Sequence, residues 1–241
     1  MADRSLYAAE AADPHCLRDT EAARLLAGHP WRRFAVVGDS IAEGLGDPYP
    51  GYPDEPWCDR IAAELTRQQP GLAYLNLGKS MATAADVAAA QLPEALAFSP
   101  DLALVSCGGA DLLRFSYDPD AVEAALRAIV SAFAGRGCDV VTVGLFDGSY
   151  AAGVPAGIRG RLRERLHDLA GRTRRVAEDL VVMHVELTWH PASRDADMYS
   201  SDPRHGTMRG HAIAAAETIR LLGAHLAADP ARAASTSTRP C

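Results

Sequence analysis

The sequence lacks the features that mark several classes of protein. Its net charge is −7 at pH 7, which argues against a broad electrostatic attraction to nucleic acid or to an anionic membrane. No apolar run approaches the roughly 20 residues that a membrane-spanning helix needs. Residues 1–10 lack the long apolar segment of a secretory signal. Hydrophobic residues make up 48% of the chain, which is typical of a globular domain.

Cysteine is sparse, and no CxxC pair occurs. Neither a zinc ribbon nor a CxxC redox motif is therefore indicated. Cys107 and Cys138 lie in or beside apolar runs, where a reduced cysteine acts as a small hydrophobic residue. The pattern favours a cytoplasmic protein with free thiols. The five cysteines are Cys16, Cys58, Cys107, Cys138 and Cys241.

Motifs for cofactors and metals are missing as well. Gly44 and Gly46 lack the third glycine of a dinucleotide fingerprint, and no GxxxxGK[ST] sequence occurs. His184, Glu186 and His190 are separated by distances in sequence that suit no common metal-ligand spacing. We therefore expect no cofactor and no metal. Flavin binding is the alternative that a visible absorbance band would reveal.

Short apolar runs alternate with amphipathic stretches along the chain. This alternation predicts a parallel sheet with helices on both faces. No internal repeat or linker divides the chain, so we predict one α/β domain over residues 31–228. The predicted strands are 34–37, 73–77, 101–107, 140–146 and 180–185, and the main helices are 56–69, 83–98 with a break near Pro93, 119–134, 158–178 and 207–227.

The two ends of the chain are predicted to lie outside this domain. Residues 1–30 are expected to form an extended arm over 1–18 and a short helix. Residues 229–241 are small and polar and are expected to be disordered. The loop at 44–53 is too rich in glycine and proline for a regular element. We favour a packing role over a pocket role for its tyrosines, Tyr49 and Tyr52.

One short stretch carries the first chemical signal. Gly38 and Asp39 end the first predicted strand, and Ser40 opens a more helical segment. A serine at the carboxyl end of the first strand of an α/β sheet lies where such sheets bind ligands. Serine at this junction is also a common helix cap. The stretch alone leaves Ser40 as either a cap or a functional group.

A candidate base precedes the last predicted helix. Asp202 and His205 are three residues apart, a spacing that lets a carboxylate and an imidazole lie side by side. Asp202 could then accept a hydrogen bond from one ring nitrogen, leaving the other to take the proton of Ser40. A lone DxxH is more often a surface turn. Ser40, Gly78 and the turn at 108–111 follow strands, so all three are expected at one edge of the sheet.

These elements together resemble the SGNH hydrolases, also called GDSL esterases and lipases. Four blocks occur in that family's order and cover about residues 31–226. They are Gly38-Asp39-Ser40, then Asn76-Leu77-Gly78 with Ser80 and Thr83, then Gly108-Gly109-Ala110-Asp111-Leu112-Leu113, and finally Asp202 to His205 followed by Gly210-His211.

The resemblance implies a flavodoxin-like three-layer α/β/α fold with a five-stranded parallel sheet. It also implies a Ser–His–Asp mechanism. By position, Ser40 is then the nucleophile, His205 the general base and later acid, and Asp202 the carboxylate that orients it. The backbone N–H groups of Ser40 and Gly78 would donate to the oxyanion.

The sequence departs from the family pattern at Ala110, where the family has an asparagine side chain in the oxyanion hole. A methyl group donates no hydrogen bond, and losing one such donor costs about 10²–10³ in rate. Three explanations are open. The enzyme is slow or specialised and uses two backbone donors; a side chain such as Lys79 or Arg114 substitutes; or the site has become that of an acyltransferase or a binding protein.

The combined prediction is a serine esterase that hydrolyses an oxygen ester of a small molecule through an acyl-enzyme. The alternatives are an acyltransferase that uses the same three side chains and a catalytically silent ligand-binding module. Asp39 and Asp111 are interpreted as acceptors that brace loop backbone, and His211 as a structural residue. The only predicted partner is the small-molecule ester, with no nucleic acid and no membrane span.

Overall fold

The computed structural model describes residues 7–228, and its centre is a parallel sheet. The five strands of this sheet are β1 (Arg33–Gly38), β3 (Ala73–Asn76), β4 (Leu102–Ser106), β5 (Asp139–Gly144) and β6 (Met183–Glu186). They lie in the order β3-β1-β4-β5-β6, and every neighbouring pair is parallel. This is the flavodoxin-like strand order. The predicted fold class is confirmed.

Helices cover both faces of the sheet, which explains why β1 and β4 read as continuous apolar runs. On one side α8 packs against α9, and on the other α10 packs against α4. The helices are α1 (Ala8–Ala12), α2 (Glu21–Leu25), α3 (Ser40–Glu43), α4 (Trp57–Gln68), α5 (Ala84–Asp86), α6 (Leu92–Phe98), α7 (Gly109–Leu112), α8 (Pro119–Ala134), α9 (Ala156–Leu180) and α10 (Met208–Ala228).

Two elements differ from the prediction. The arm was expected to be extended, but Ala8–Ala12 form a helix. The strand predicted at 180–185 begins too early, because α9 continues to Leu180 and Val181 ends it in the left-handed conformation with φ of 53°. The apolar residues at 180–182 therefore belong to a helix end, and β6 begins at Met183. The predicted tail at 229–241 lies outside the described residues.

The break predicted near Pro93 is a π-helical turn. Val87–Gln91 form this turn between α5 and α6, and it ends two residues before the proline. Proline lacks a backbone donor and clashes with the preceding turn, which disfavours a regular α-helix there. Gln91 is buried and makes two hydrogen bonds to Gly38: its Oε1 accepts from the Gly38 N–H and its Nε2 donates to the Gly38 carbonyl, both at 2.8 Å.

A second, two-stranded sheet joins the loop after α3 to the loop before α10. Its strands, β2 (Gly46–Asp47) and β7 (Gly206–Thr207), are parallel. Tyr49 and Tyr52 pack in a small apolar cluster beside this sheet, as expected. The predicted irregular loop thus contains one short regular element. None of the helices in residues 7–228 has the length and apolarity to cross a membrane.

Candidate active site

The site is built around the turn that follows β1. Asp39 caps α3, because its Oδ1 accepts from the Ile41 N–H at 3.0 Å. Its Oδ2 accepts from the Ala110 N–H at 3.2 Å, which ties this turn to α7. A side chain at Gly38 would overlap with the carbonyl of Ser106 on β4, so glycine is required there. Ser40 is thereby held at the carboxyl edge of the sheet.

Burial changes the pKa of the Asp39 carboxyl group. The carboxyl group is inaccessible to solvent, and burial raises its pKa to about 6, although the hydrogen bonds from Ile41 and Ala110 act in the opposite direction. Asp111 braces a different segment, since its Oδ2 accepts from the Ala84 N–H at 2.9 Å. Both aspartates hold loop backbone, as the sequence predicted.

The structure brings Ser40, His205 and Asp202 together. Nε2 of His205 lies 2.8 Å from Oγ of Ser40, and Nδ1 lies 2.8 Å from Oδ2 of Asp202. An ionised carboxylate only accepts, so Nδ1 carries the ring hydrogen and Nε2 is free to accept the serine proton. Burial raises the pKa of Asp202, but the hydrogen bonds from the Arg204 backbone and from His205 outweigh this effect and hold the pKa below its ordinary value. Asp202 is therefore ionised at neutral pH.

The loop that carries Asp202 and His205 is fixed from both sides. Ser200 Oγ donates to the Gly206 carbonyl at 2.7 Å and accepts from the Asp47 N–H at 2.8 Å. The Ser201 N–H donates to Oδ2 of Asp47 at 2.7 Å. The β2–β7 sheet thus begins immediately after His205 and links its loop to the loop that follows α3.

An ion-pair network holds the same loop to the amino-terminal segment. Nε of Arg209 lies 2.7 Å from Asp13, and its Nη1 lies 2.9 Å from Asp195 and 2.8 Å from Asp197. The Tyr52 hydroxyl also donates to Asp13, at 2.8 Å. Because Arg209 and Asp13 are largely buried, replacing either one alone would leave an uncompensated buried charge, which is strongly destabilising.

The two predicted oxyanion donors have different surroundings. The N–H of Ser40 has no acceptor in the described part of the chain. The N–H of Gly78 donates to Oδ1 of Asn76 at 2.9 Å, and Gly78 is not among the residues that line the cavity at Ser40. A side chain at Gly78 would overlap with the backbone of Ala42 and Glu43. Gly78 therefore serves the close packing of this loop on α3.

Met81, three residues after Gly78, lines the same cavity as Ser40. It has a φ of 66°, a conformation that is uncommon for a residue with a side chain. Within residues 7–228 its N–H has no hydrogen-bond acceptor. The neighbouring Ser80 N–H donates to Oε2 of Glu43 at 2.6 Å, so the last residue of α3 holds this strained turn. Sequence reasoning missed Met81, because a left-handed methionine has no signature in sequence.

Neither of the side chains that the sequence suggested takes the place of the family's asparagine. Ala110 lines the cavity with its methyl group. Lys79 and Arg114, the two substitutes that the sequence suggested, are exposed and do not line the cavity. Within the described residues, Ser40, His205 and Asp202 are combined with an alanine at the family's asparagine position, and the backbone N–H groups of Ser40 and Met81 have no acceptor.

His211 has a structural role but lines the cavity as well. Its Nδ1 accepts from the Trp57 N–H at 3.2 Å, the first N–H of α4, and its Nε2 lies 3.3 Å from the Leu45 carbonyl. Burial lowers the pKa of His211 to about 4. Between pH 6.5 and about 4 the folded protein therefore keeps this imidazole neutral, whereas the imidazole is protonated in the unfolded chain.

We expect the contribution of His211 to the free energy of unfolding to fall as the pH is lowered from 6.5 towards 4, while Asp39, with its raised pKa, contributes in the opposite direction in the wild type and the variant alike. The unfolded state binds a proton at His211 in this range and the folded state does not, which amounts to about 3 kcal/mol at its limit. Urea unfolding of the wild type and of His211→Gln at pH 7 and pH 4.5 measures the effect. The variant should lose less stability over this interval; an equal loss in both proteins would contradict the assignment.

A parallel α/β sheet that carries a linked serine, histidine and aspartate at its carboxyl edge is the architecture of a serine hydrolase. A family model described as GDSL-like lipase/acylhydrolase matches residues 36–213, well over half of the sequence. The chain belongs to this family, and it is a serine hydrolase of the carboxylic ester type.

Solved structures share the fold at low sequence identity. A lipase/acylhydrolase from Enterococcus faecalis has a TM-score of 0.64 at 17% identity, with 80% of this chain and 96% of that chain covered. A catalytic mutant of an acetylxylan esterase from Geobacillus stearothermophilus has a TM-score of 0.64 at 19% identity, with 82% and 95% covered. An alpha/beta hydrolase enzyme from the metagenome of Lake Arreo, Spain, has a TM-score of 0.64 at 20% identity, with 82% and 96% covered. No curated protein matches the chain.

Proposed function

We propose that the protein hydrolyses an oxygen ester through an acyl-enzyme formed on Ser40. The observation that carries this proposal is the pair of 2.8 Å contacts from His205, one to Oγ of Ser40 and one to Asp202. A serine hydroxyl becomes an effective nucleophile when a base lies within hydrogen-bond distance, and here the base is oriented by a carboxylate.

The reaction proceeds in two halves. His205 accepts the hydroxyl proton as Oγ of Ser40 attacks the ester carbonyl, and then donates that proton to the departing alcohol. In the second half His205 deprotonates a water molecule, which attacks the acyl-enzyme and releases the acid. Asp202 stays ionised throughout and stabilises the protonated imidazole.

The oxyanion is held by backbone groups alone. The two candidate donors are the N–H groups of Ser40 and Met81, since neither has an acceptor within the described residues and both residues line the cavity. The turn at Met81 is fixed to α3 by Glu43, so the donor needs no rearrangement during the reaction. The lack of a third donor at Ala110 predicts slower turnover than a complete oxyanion hole would allow.

Labelling with a fluorophosphonate probe tests this proposal. We expect one probe adduct per chain, located on Ser40 by peptide mass spectrometry, because the probe reacts with a serine that an adjacent base activates. Ser40→Ala should abolish labelling. Ser131→Ala, which removes an exposed serine of α8, is the matched control and should label like the wild type. Labelling that persists in Ser40→Ala, or its absence from the folded wild type, would contradict the proposal.

A further inference from the structure

The wall of the cavity beyond Ser40 is made of apolar side chains. The cavity has a volume of about 280 Å³. Ile158, Leu162 and Leu166 line it from α9 at intervals of four residues, which places them in one stripe about 12 Å long on the helix face. Leu145 and Leu113 complete this wall from the loop after β5 and the end of α7.

Two of the polar side chains on the walls, Tyr199 and His211, have partners within the protein. The Tyr199 hydroxyl lies 2.8 Å from the carbonyl oxygens of both Asp147 and Ser193. His211 is bonded to the backbone of Trp57 and Leu45, as described above. A ligand with hydroxyl or amide groups along this wall would lose hydrogen bonds to water without replacement, which is unfavourable. The wall therefore suits a hydrocarbon.

The proposed reaction determines which part of the ester faces this wall. The departing alcohol must lie beside Nε2 of His205, which protonates it, and the oxyanion must face the N–H groups of Ser40 and Met81. The remaining substituent of the carbonyl carbon, the acyl chain, needs no polar partner and is left to the apolar wall, with Ala110 at the reacting end of the cavity. The methyl group of Ala110 leaves more space there than an asparagine side chain would.

Exposed apolar side chains surround the mouth of the same cavity. Seven large hydrophobic side chains are exposed within residues 7–228, and four of them line the cavity. These four are Leu45, Met81, Leu113 and Ile158, with exposures between 38% and 54%. Such a concentration at one opening, rather than scattered single residues, marks a site for an apolar ligand.

We propose that the substrate is an ester of an unbranched fatty acid of medium or long chain, whose acyl part lies along the Ile158–Leu162–Leu166 stripe of α9. This inference rests on the proposed function, because the direction of the acyl chain follows from the roles of His205 and Ser40. Ser40 and His205 at the reacting end then carry out catalysis, and the apolar wall selects the acyl chain.

A series of p-nitrophenyl esters from acetate through butyrate and octanoate to dodecanoate tests the proposal. Each methylene that leaves water should raise kcat/KM about fourfold until the cavity is filled. Leu162→Gln should lower the ratio of octanoate to acetate kcat/KM by about tenfold. Ile158→Ser is a second variant; Ile158 lies at the exposed mouth of the cavity, so its replacement disturbs folding less. Val181→Ser, at the exposed end of α9, is a control that should keep the wild-type chain-length profile.

Binding of the product gives a readout that is independent of turnover. In Ser40→Ala, dodecanoic acid should raise the Tm, whereas acetic acid at the same concentration should not, because only the long chain covers the apolar wall. Leu162→Gln in the same background should abolish the rise. A flat chain-length profile in an active enzyme, or no Tm shift with dodecanoic acid, would overturn this inference and leave the ester hydrolase proposal intact. Loss of the ester hydrolase proposal itself would appear as activity that persists in Ser40→Ala.

Discussion

Ser40→Ala and His205→Ala are each expected to reduce kcat for a p-nitrophenyl ester by about 10⁴-fold or more. The 2.8 Å contact between these side chains makes them one catalytic unit, since the hydroxyl reacts only when the imidazole takes its proton. The double variant should therefore be no slower than either single variant. Steady-state kinetics with purified protein, corrected for spontaneous hydrolysis, measures all three rates.

Additivity would contradict this interpretation. If the reduction in kcat of the double variant equalled the product of the two single-variant reductions, the two residues would act independently. Asp202→Asn should cause a smaller loss than either, because it disturbs the tautomer and orientation of His205 and leaves the nucleophile and base in place. Ser131→Ala serves again as the control, and unfolding midpoints of all variants establish that the fold is intact.

Ala110→Asn is expected to raise kcat for p-nitrophenyl acetate by up to about 10²-fold. Ala110 already lines the cavity beside the serine, so a carboxamide at this position would add a third donor to the N–H groups of Ser40 and Met81. The gain should be largest for the acetate. For esters with longer acyl chains the gain in kcat should be smaller, because the added side chain narrows the path along the apolar wall.

Ala110→Leu separates the donor from the added volume. Leucine has the same number of side-chain heavy atoms as asparagine, branched at the same carbon, but donates no hydrogen bond, so this variant should show no gain with any ester. An equal gain in both variants would mean that volume alone matters. Unchanged or lower turnover of acetate in a folded Ala110→Asn protein would show that the two backbone donors already suffice.

The parts of the fold that the sequence predicted best are those with a strong local signal. The helix predicted at 119–134 has those bounds in the structure, because Asp118 caps it and Pro119 occupies its first turn. The five strands were identified from their apolar runs. The run at 180–182 was misassigned, since only its contacts show that it closes a helix. Hydrophobic character alone does not distinguish a buried strand from the end of a long helix.

The serine, histidine and aspartate were found by residue type and spacing, whereas their supports were not. Gln91 holds Gly38 from 53 positions away, and Glu43 holds the turn at Ser80 from 37 positions away. Such side-chain contacts depend on the packed arrangement of distant segments. Gly78 was assigned an oxyanion role by its match to the family's glycine block, and in the structure a Cβ at this residue would meet the backbone of α3.

The Arg209 network also joins two parts of the chain that are far apart in sequence. Asp13 and Arg209 are 196 positions apart in sequence. Contacts between such distant segments form late, because a long loop must close before they contribute. During synthesis the strand that presents Ser40 is made well before the loop with its proposed base, since Ser40 and His205 are 165 positions apart in sequence. A nascent chain would therefore acquire a reactive serine only when folding is nearly complete.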